Sequence, residues 1–402
     1  MTARLSLPRP LRFRDYRVLW LASVLSGAGF QGEFVVLGWY LLEATDSAFV
    51  VGLSAAVRTL PNVLIGLPGG ALVDHWDRRL MLRLMSALTA ASTLILAGLA
   101  LTSGPIWAFF ALTLVGGALR SLFQMARQSY AFDIVGGEMA MSGLAFMNLA
   151  QRVGGVAGSL AMGFVIATRG AGEAYAALAA CFALSAVVML FARERGQSAP
   201  SSRQSPLTHM REFALELRHN RTLAVLALLV AAVEVLGFSH QSVLPVLARD
   251  VLEAGPESLG ALSAAGAFGG LISTLLFSLL GEVRRRGLLF IVVLNLFGVA
   301  LVLLGNAGSI ELALVAVMAV SALAALSDVL SQGLAQLAVP NEMRGRAMGM
   351  WTLAIGSAPL GHAEIGALAA VYGAPAALIV NGVALTTMAA SAALGVKRIV
   401  RL

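Results

Sequence analysis

The composition of this 402-residue chain excludes a soluble globular domain. Hydrophobic residues make up 58% of the sequence and charged residues only 12%, whereas soluble domains carry about 25% charge. The formal net charge is +7. Because Cys181 is the only cysteine, neither a disulfide nor a thiolate metal cluster is expected. The chain is therefore expected to lie in a lipid bilayer.

The apolar segments are long enough to cross a membrane as helices. About 20 apolar residues span the hydrocarbon core, and charged or Gly/Pro breaks divide the chain into about twelve such segments. β-Barrel strands would alternate polar and apolar residues over about ten positions, but these segments are continuously apolar. The sequence therefore predicts an all-α membrane protein. The predicted spans are 18–42, 49–73, 80–101, 105–126, 142–167, 174–192, 222–248, 258–281, 287–305, 310–337, 346–372 and 375–396.

The distribution of charge predicts the orientation of the helices. With the N-terminus in the cytoplasm, most of the 28 basic residues fall on the cytoplasmic side, including Arg12, Arg14 and Arg17. This asymmetry follows the positive-inside rule and places the basic surplus against anionic lipid headgroups. An even number of helices returns the C-terminus to the cytoplasm. A nucleic-acid partner is not expected.

One long polar stretch divides the chain near its middle. It begins as a Ser/Pro/Gln-rich linker, and from Leu207 apolar residues recur at helical spacing, which predicts a short amphipathic helix. The predicted parts are a cytoplasmic segment at 1–17, a six-helix bundle at 18–192, the linker at 193–221, a second six-helix bundle at 222–396 and a cytoplasmic tail at 397–402.

A weak internal repeat relates the two halves. Residues 127–139 align without a gap with 331–343, an offset of 204, and the match keeps Gln, Ala, Val, Glu and Met. Val36-Leu37 and Val243-Leu244 correspond at an offset near 207. Repeats of this kind are typical of transporters whose substrate site lies near the bilayer midplane between the halves.

A charged turn follows the second span. Gly66–Arg79 is a glycine-rich helix end that leads into Asp-His-Trp-Asp-Arg-Arg. Here the chain resembles the major facilitator superfamily, whose loop between helices 2 and 3 carries Gly-x-x-x-Asp-x-x-x-Arg-Arg, matched by Gly70, Asp74, Arg78 and Arg79. The resemblance implies a cytoplasmic gate at this turn. The alternative is that the two arginines only fix the topology.

Further stretches narrow the resemblance to the enterobactin-exporter branch of that superfamily. These stretches are Trp39-Tyr40-Leu41, Ser54 to Pro61, Ala126-Arg127-Gln128, Asn148 to Arg152, Val339 to Met348 and Ala358 to Gly361. The resemblance implies twelve helices in two pseudo-symmetric six-helix bundles, alternating access, and efflux across a bacterial inner membrane. The candidate site residues of the second-half loops are Arg284, Arg285, Glu342, Arg344 and Arg346.

Ionisable residues inside the spans mark a candidate substrate cavity. Each costs roughly 2.5 to 3.5 kcal/mol at a helix centre on insertion scales. Helices 3, 6, 9 and 12 hold none at depth, and by resemblance these helices face lipid, while helices 1, 4, 7 and 10 line the cavity. The alternative is that these side chains form structural pairs. The candidate cavity residues are Glu33, Arg58, Arg120, Gln124, Glu234, Gln241, Asp328 and Gln332.

Some of these side chains are candidates for coupling transport to protons. Acidic and histidine side chains in membrane helices form proton relays in pumps and transporters. Glu33 is the first choice, with Arg58 holding it ionised in one state, or the two form a permanent structural pair. Arg120 with Asp328 is a candidate inner gate. The proton-coupling candidates are Glu33, Glu234, His240, Asp328 and Glu364.

The predicted function is export of an amphipathic small molecule, siderophore or drug-like, by proton antiport. The chain has no P-loop and Lys397 is its only lysine, which excludes ATP-driven transport within this chain. No enzymatic activity, cofactor or metal is expected, and a monomer is expected. Two alternatives stay open, which are uptake of an organic anion attracted by Arg58, Arg120 and Arg152, and a non-transporting membrane scaffold or sensor.

The gate interpretation of the charged turn can be tested with Asp74→Asn. We expect this variant to fold normally but to cycle slowly, because an amide cannot form an ion pair with Arg78 or Arg79. The measurement is the transport rate per amount of folded protein, and undiminished transport by the variant would contradict the gate.

Overall fold

The structure, a computed structural model, describes residues 9–196, 221–279, 285–339, 351 and 353–395. These residues form helices joined by short turns, and no strand occurs among them. The helices are α1 Arg14–Thr45, α2 Ala48–His75, α3 Arg78–Leu101, α4 Ile106–Val135, α5 Ala140–Arg169, α6 Ala171–Leu190, α7 at 221–251, α8 Pro256–Leu279, α9 Arg286–Gly305, α10 Ile310–Leu337, α11 Ala358–Tyr372 and α12 Ala374–Gly395.

The prediction of an all-α membrane protein is confirmed. Eleven helices in the described part of the chain are long and apolar enough to cross a membrane, judged by length and composition. The remaining helix, α11, lies within the predicted span 346–372, whose first residues are outside the described part. Each predicted span overlaps one of these twelve helices.

The predicted end of the fourth span at residue 126 was wrong, because α4 continues to Val135. The prediction ended the span where charged residues begin. In the structure, Arg127 is buried at 2% exposure, and Asp133 has an arginine partner. Charged side chains with partners inside the protein do not force a helix to end. The amphipathic helix predicted from Leu207 lies outside the described residues.

Helix α7 is not a regular α-helix. An α-helical part, Arg221–Ala232, is followed by a π-helical turn at Val233–Gly237 and a 3-10 segment at Phe238–Val243. One α-helical turn and a second π-helical turn, Leu247–Val251, complete it. Pro245, in the last α-helical turn, cannot donate a backbone hydrogen bond. Interruptions of this kind occur frequently at functional sites.

The described residues fall into two compact units. One lies within Met1–Val36 and Leu64–Ser202, and the other lies within Leu37–Val63 and Arg203–Leu402. Both α1 and α2 therefore pass from one unit to the other. We call Leu37–Val63 the hairpin segment, since it contains the α1–α2 turn. The domain boundaries drawn from the polar stretch remain a prediction.

The packing of helices in the first unit recurs in the second unit, between the helices that follow six positions later in the chain. In the first unit α3 packs against α6 and α4, and α5 packs against α6. In the second unit α9 packs against α12 and α10, and α11 packs against α12. The two units thus use the same pairing pattern, as expected of two pseudo-symmetric six-helix bundles.

Glycines allow α1 and α5 to approach closely. A methyl group placed on Gly154 would overlap the carbonyl oxygen of Val24, and one on Gly158 would overlap that of Ala28. The equivalent contact in the second unit joins α7 and α11, where a Cβ on Gly361 would lie 2.5 Å from the Cα of Val235. Gly154 and Gly361 are related by the 207-residue offset that also relates Ala28 to Val235. Small residues at such crossings are typical of packed membrane helices.

We expect Gly158→Ala to destabilise the protein, because the new methyl group meets the backbone of α1, which cannot move away cheaply. Overpacking of this kind costs about 1–3 kcal/mol. The matched control is Gly98→Ala on α3, where no atom lies within 4 Å of the added Cβ. Melting of the purified protein in detergent measures both effects, and equal melting temperatures for the two variants would contradict the close α1–α5 packing.

Candidate functional site

The charged turn between α2 and α3 is tied together by backbone capping. Asp77 is the N-cap of α3, and its carboxylate accepts hydrogen bonds from the backbone N–H groups of Arg79 at 2.9 Å and Leu80 at 3.2 Å. Gly70 and Asp74 lie on α2, and their side-chain positions are outside what the structure describes. An N-cap aspartate stabilises a helix start by about 1 kcal/mol.

Arg78 is paired with Asp133 at the end of α4. Its Nη1 atom lies 2.6 Å from both carboxylate oxygens, and the two side chains are only 7% and 11% exposed. Because neither charge has ready access to water, each depends strongly on the other. Arg127, on the same helix as Asp133, has a different partner, because its Nη1 donates to the carbonyl of Met147 at 3.0 Å.

The segment that leaves α6 is held by side chains from three other helices of the same unit. The Asp15 carboxylate accepts hydrogen bonds from the backbone N–H groups of Arg193 at 2.8 Å and Glu194 at 2.7 Å. Arg79 Nη1 donates to the Arg193 carbonyl at 2.8 Å. Tyr130 donates to the Glu194 carbonyl at 2.8 Å. The start of the predicted linker is therefore fixed to the face that carries the charged turn.

Arg83 caps the end of α6. Its guanidinium donates to the carbonyls of Met189 at 3.0 Å, Leu190 at 3.1 Å and Ala192 at 2.9 Å. The last carbonyls of a helix lack partners within the helix, and a nearby arginine satisfies them. Arg83 thus has a structural explanation.

The first unit holds three candidate cavity residues on α1 and α4. Glu33 is 7% exposed, and its carboxylate lies against Gly116, where a Cβ would be 3.7 Å from Oε1. The guanidinium carbon of Arg120 lies 5.4 Å from the ring centroid of Phe30, within the range of a cation–π interaction. Gln124 Nε2 donates to Gln151 Oε1 at 2.9 Å.

The second unit holds the remaining candidates. Glu234 on α7 is 7% exposed and lies within electrostatic range of Asp328 on α10. Two acidic side chains are therefore close to each other within the membrane-spanning part of the second unit. Gln241 and Gln332 are half-buried on the same two helices.

A group of polar side chains surrounds the 3-10 segment of α7. His240 Nδ1 lies 2.7 Å from the Gly237 carbonyl, and Ser242 Oγ lies 2.7 Å from Nδ1 of His362 on α11. On α12, Asn381 Nδ2 donates to Glu364 Oε2 at 3.2 Å and lies 3.4 Å from Ser239 Oγ. We call Ser239, His240, Ser242, His362, Glu364 and Asn381 the α7 polar cluster.

The hairpin segment contacts the end of α7. Arg249 Nη1 donates to the Leu42 carbonyl at 3.0 Å, and its Nη2 lies 2.5 Å from Asp46 Oδ1. Asp46 adopts a positive φ of 49° at the α1–α2 turn. Deeper along α2, a Cβ on Gly52 would lie 2.6 Å from the His362 carbonyl and from the Cα of Gly366.

Several predicted arrangements are not tested by the structure. Glu33 and Arg58 belong to different units, as do Arg120 and Asp328, so both pairs remain predictions. Arg285 is exposed just before α9. The other second-half loop residues lie outside the described part, and they are Arg284, Glu342, Arg344 and Arg346.

Some residues of these sites were missed by the sequence analysis. Asp77 had a visible signal, since an aspartate directly before a helix is a typical N-cap. Asn381 also had one, because an amide within an apolar span requires a partner. Asp15, Ser239 and Ser242 had no such signal, since serine and terminal aspartate residues are common in membrane proteins.

The helical fold described above agrees with the family that the sequence matches. The sequence pattern of the Major Facilitator Superfamily matches residues 19–361, and the chain belongs to that superfamily. The protein is therefore a multi-pass membrane transporter and not an enzyme. Its expected resemblance to the enterobactin-exporter branch is also confirmed.

Three curated relatives illustrate the resemblance. The multidrug efflux pump Tap of Mycolicibacterium fortuitum is 26% identical over 371 residues, which is 89% of each chain. The enterobactin exporter EntS of Salmonella typhi is 28% identical over 377 residues, 91% of this chain and 88% of that protein. The staphyloferrin A transporter of Staphylococcus aureus is 25% identical over 243 residues, 60% of each chain, so that alignment spans less than two thirds of it.

Solved structures show the same fold. A bacterial homologue of the human lysosomal transporter Spinster matches with a TM-score of 0.73 at 15% identity and 98% coverage of both chains. The nucleoside transporter NupG matches with a TM-score of 0.78 at 12% identity, covering 94% of this chain and 98% of that one. At these identities the likeness establishes the fold alone.

We expect Arg78→Gln and Asp133→Asn each to destabilise the protein by about 3 kcal/mol, because each leaves a buried charge without its partner. The double variant should lose less than the sum of the two, since it leaves no unpaired charge. The matched control is Arg169→Gln, which breaks an exposed pair with Glu173 and should cost less than about 1 kcal/mol. Thermal melts of the four variants measure these differences, and strict additivity would contradict a direct pair.

Proposed function

We propose that the protein exports an amphipathic small molecule, siderophore or drug-like, by alternating access coupled to proton antiport. That the protein is a transporter of the Major Facilitator Superfamily is established by the family match. The direction, substrate class and coupling ion are our proposal.

The observation that carries the proposal is the placement of ionisable side chains within the membrane-spanning helices. Glu33 and Glu234 are buried on α1 and α7, and Arg120 and Asp328 are half-buried on α4 and α10. Beyond their first turns, α3, α6, α9 and α12 hold no Asp, Glu, Lys, Arg or His except Arg83, which caps α6. Ionisable residues are costly in a bilayer, and their restriction to one set of helices supports a polar route that these helices line.

The named relatives support an amphipathic substrate and efflux. Two of them are named for siderophores and one for multidrug efflux. In this chain Arg120 and Phe30 place a cation and an aromatic face side by side. The Phe30 ring is buried, so the half-buried guanidinium is the part of this pair that a negatively polarised group of a ligand would reach.

In the proposed cycle, protonation of Glu33 on the outer side weakens substrate binding and favours release. Loss of that proton on the cytoplasmic side restores the affinity for substrate. The Asp74 turn closes the cytoplasmic face while the outer face is open. We place the protein in a bacterial inner membrane as a monomer, with both termini in the cytoplasm and anionic headgroups against its basic face.

The substrate class can be tested by ligand-induced stabilisation of the purified protein. A ligand at a hundred times its dissociation constant adds about 2.7 kcal/mol to the free energy of unfolding. We expect enterobactin or a lipophilic cation such as ethidium to raise the melting temperature. A shift with simple organic anions alone would favour the uptake alternative, and no shift with any class would favour a scaffold or sensor.

Coupling can be tested in proteoliposomes with an imposed pH gradient. We expect Glu33→Gln to lose gradient-driven transport at least tenfold while it keeps the ligand-induced stabilisation, because the amide cannot carry a proton. The matched control is Glu173→Gln, which alters an exposed side chain at the start of α6 and should transport at the wild-type rate. Gradient-driven transport by Glu33→Gln at the wild-type rate would contradict the role of Glu33.

A further inference from the structure

The α7 polar cluster has features that the proposed cycle does not use. The 3-10 segment Phe238–Val243 carries His240 between Ser239, which contacts α12, and Ser242, which contacts α11. All three side chains are at most 1% exposed. The site lies where the helix changes from π to 3-10 geometry, and there the Gly237 carbonyl is within hydrogen-bond distance of the His240 ring.

The protonation of His240 follows from its hydrogen bond. A backbone carbonyl only accepts hydrogen bonds, so Nδ1 must donate its proton to Gly237 at 2.7 Å. In the neutral ring the lone pair therefore lies on Nε2. That atom is buried and has no hydrogen-bond partner among the described residues. The lone pair on this nitrogen can accept one proton.

His362, on α11, is the second histidine of the cluster. It is 7% exposed and lies within electrostatic range of both His240 and Arg58. Its Nδ1 contacts the Ser242 hydroxyl, which can either donate or accept a hydrogen bond. The contact therefore suits both the neutral and the protonated ring of His362.

Charged and polar groups surround the two rings. The α2 helix contributes Arg58, and α11 contributes Glu364, whose carboxylate accepts from Asn381 of α12. On α7 itself Glu234 lies near Asp328 of α10. The α9 helix presents the ring of Phe297 to Gly237. Arg58 is thus a positive charge within electrostatic range of His362, whereas the carboxylates of Glu234 and Glu364 lie on the same helices as the two histidines.

The chemistry of the cluster favours a proton over a metal ion as its ligand. Imidazole nitrogens bind protons and transition metals, whereas Na⁺ and Mg²⁺ prefer oxygen ligands. In the described part of the chain, no three His, Cys, Asp or Glu side chains are grouped as a metal site. A proton requires only the one lone pair that His240 offers.

We propose that His240 and His362 form a proton-binding site that carries a coupling proton, and that Arg58 of the hairpin segment controls its occupancy. This inference rests on the proposed proton-coupled transport and adds a second site to Glu33. The two sites are related by the internal repeat, since His240 follows Glu33 by 207 residues.

The control by Arg58 follows from like-charge repulsion. A proton on His362 places a second positive charge beside Arg58 in a medium where charges are poorly screened. Arg58 is carried by the hairpin segment, which contacts α7 and α11 through Arg249 and Gly52. While the hairpin segment lies against these helices, the repulsion expels the proton. When it moves away, the histidines can bind one.

The order of events matches antiport. The hairpin segment contains the α1–α2 turn, which our topology places on the outer side. Movement of this segment away from α7 and α11 exposes the histidines to the outer side, where they take up a proton. Its return brings Arg58 back and releases the proton toward the cytoplasm.

The occupancy of the site can be measured without a substrate. Full-length protein labelled with ¹⁵N-histidine in lipid nanodiscs reports the protonation of each ring by NMR, with His240→Gln and His362→Gln used to assign the signals. We expect Arg58→Gln to raise the doubly protonated fraction of His362 at pH 6 at least twofold. Arg58→Lys keeps the positive charge and should behave as wild type, and Arg169→Gln, which alters an exposed arginine of the other unit, is the control. An unchanged fraction in Arg58→Gln would overturn the control by Arg58.

Transport measurements then separate coupling from substrate binding. With enterobactin and ethidium as probes in proteoliposomes, we expect His362→Gln to lose gradient-driven transport at least tenfold while keeping counterflow, which needs no net proton movement. His75→Gln, at the exposed end of α2, is the matched control. Wild-type coupling in His362→Gln would overturn the histidine site. Absence of gradient-driven transport in the wild-type protein would instead contradict the proposed function, whereas the NMR titration would still decide whether Arg58 controls the histidines.

Discussion

The structure depends on one constraint, which is that a polar group in a bilayer must find its partner within the protein. Arg83 satisfies three carbonyls at the end of α6, and Asp15 satisfies two backbone N–H groups just beyond it. Each such contact fixes one helix end against another. Some charged side chains of this transporter therefore stabilise helix ends, and others are available for transport. Only those without a structural explanation of this kind are strong candidates for transport.

A second constraint, the close packing of helices, explains why the two units resemble each other. Helices approach closely only where small residues remove side-chain bulk, and the α1–α5 crossing at Gly154 recurs as the α7–α11 crossing at Gly361, at the same offset in sequence. Once these crossings are fixed, the residues one or two turns away have equivalent positions. Glu33 and His240 occupy equivalent positions in this sense, although one is an acid and the other an imidazole.

Hydrophobicity and charge predicted the helices well, because both are properties of single residues. The partners were harder to predict. Asp133 lies 55 residues from Arg78 and Asn381 lies 142 residues from Ser239, and such pairs depend on the rotation and tilt of each helix. The irregular geometry of α7 was also invisible, because it involves the packing of Gly237 against Phe297 as well as Pro245.

Histidines suit the site beside Arg58 better than carboxylates would. An ionised carboxylate attracts a guanidinium, so a carboxylate here would hold the hairpin segment in place and would gain its proton only by losing that attraction. A neutral imidazole has little interaction with the guanidinium, whereas a protonated one repels it. The contact of the hairpin segment with α7 and α11 and the proton on the histidines therefore become mutually exclusive. This exclusion is what a coupled exchange requires, because a carrier that held the proton in both positions of the hairpin segment would let the gradient dissipate without moving substrate.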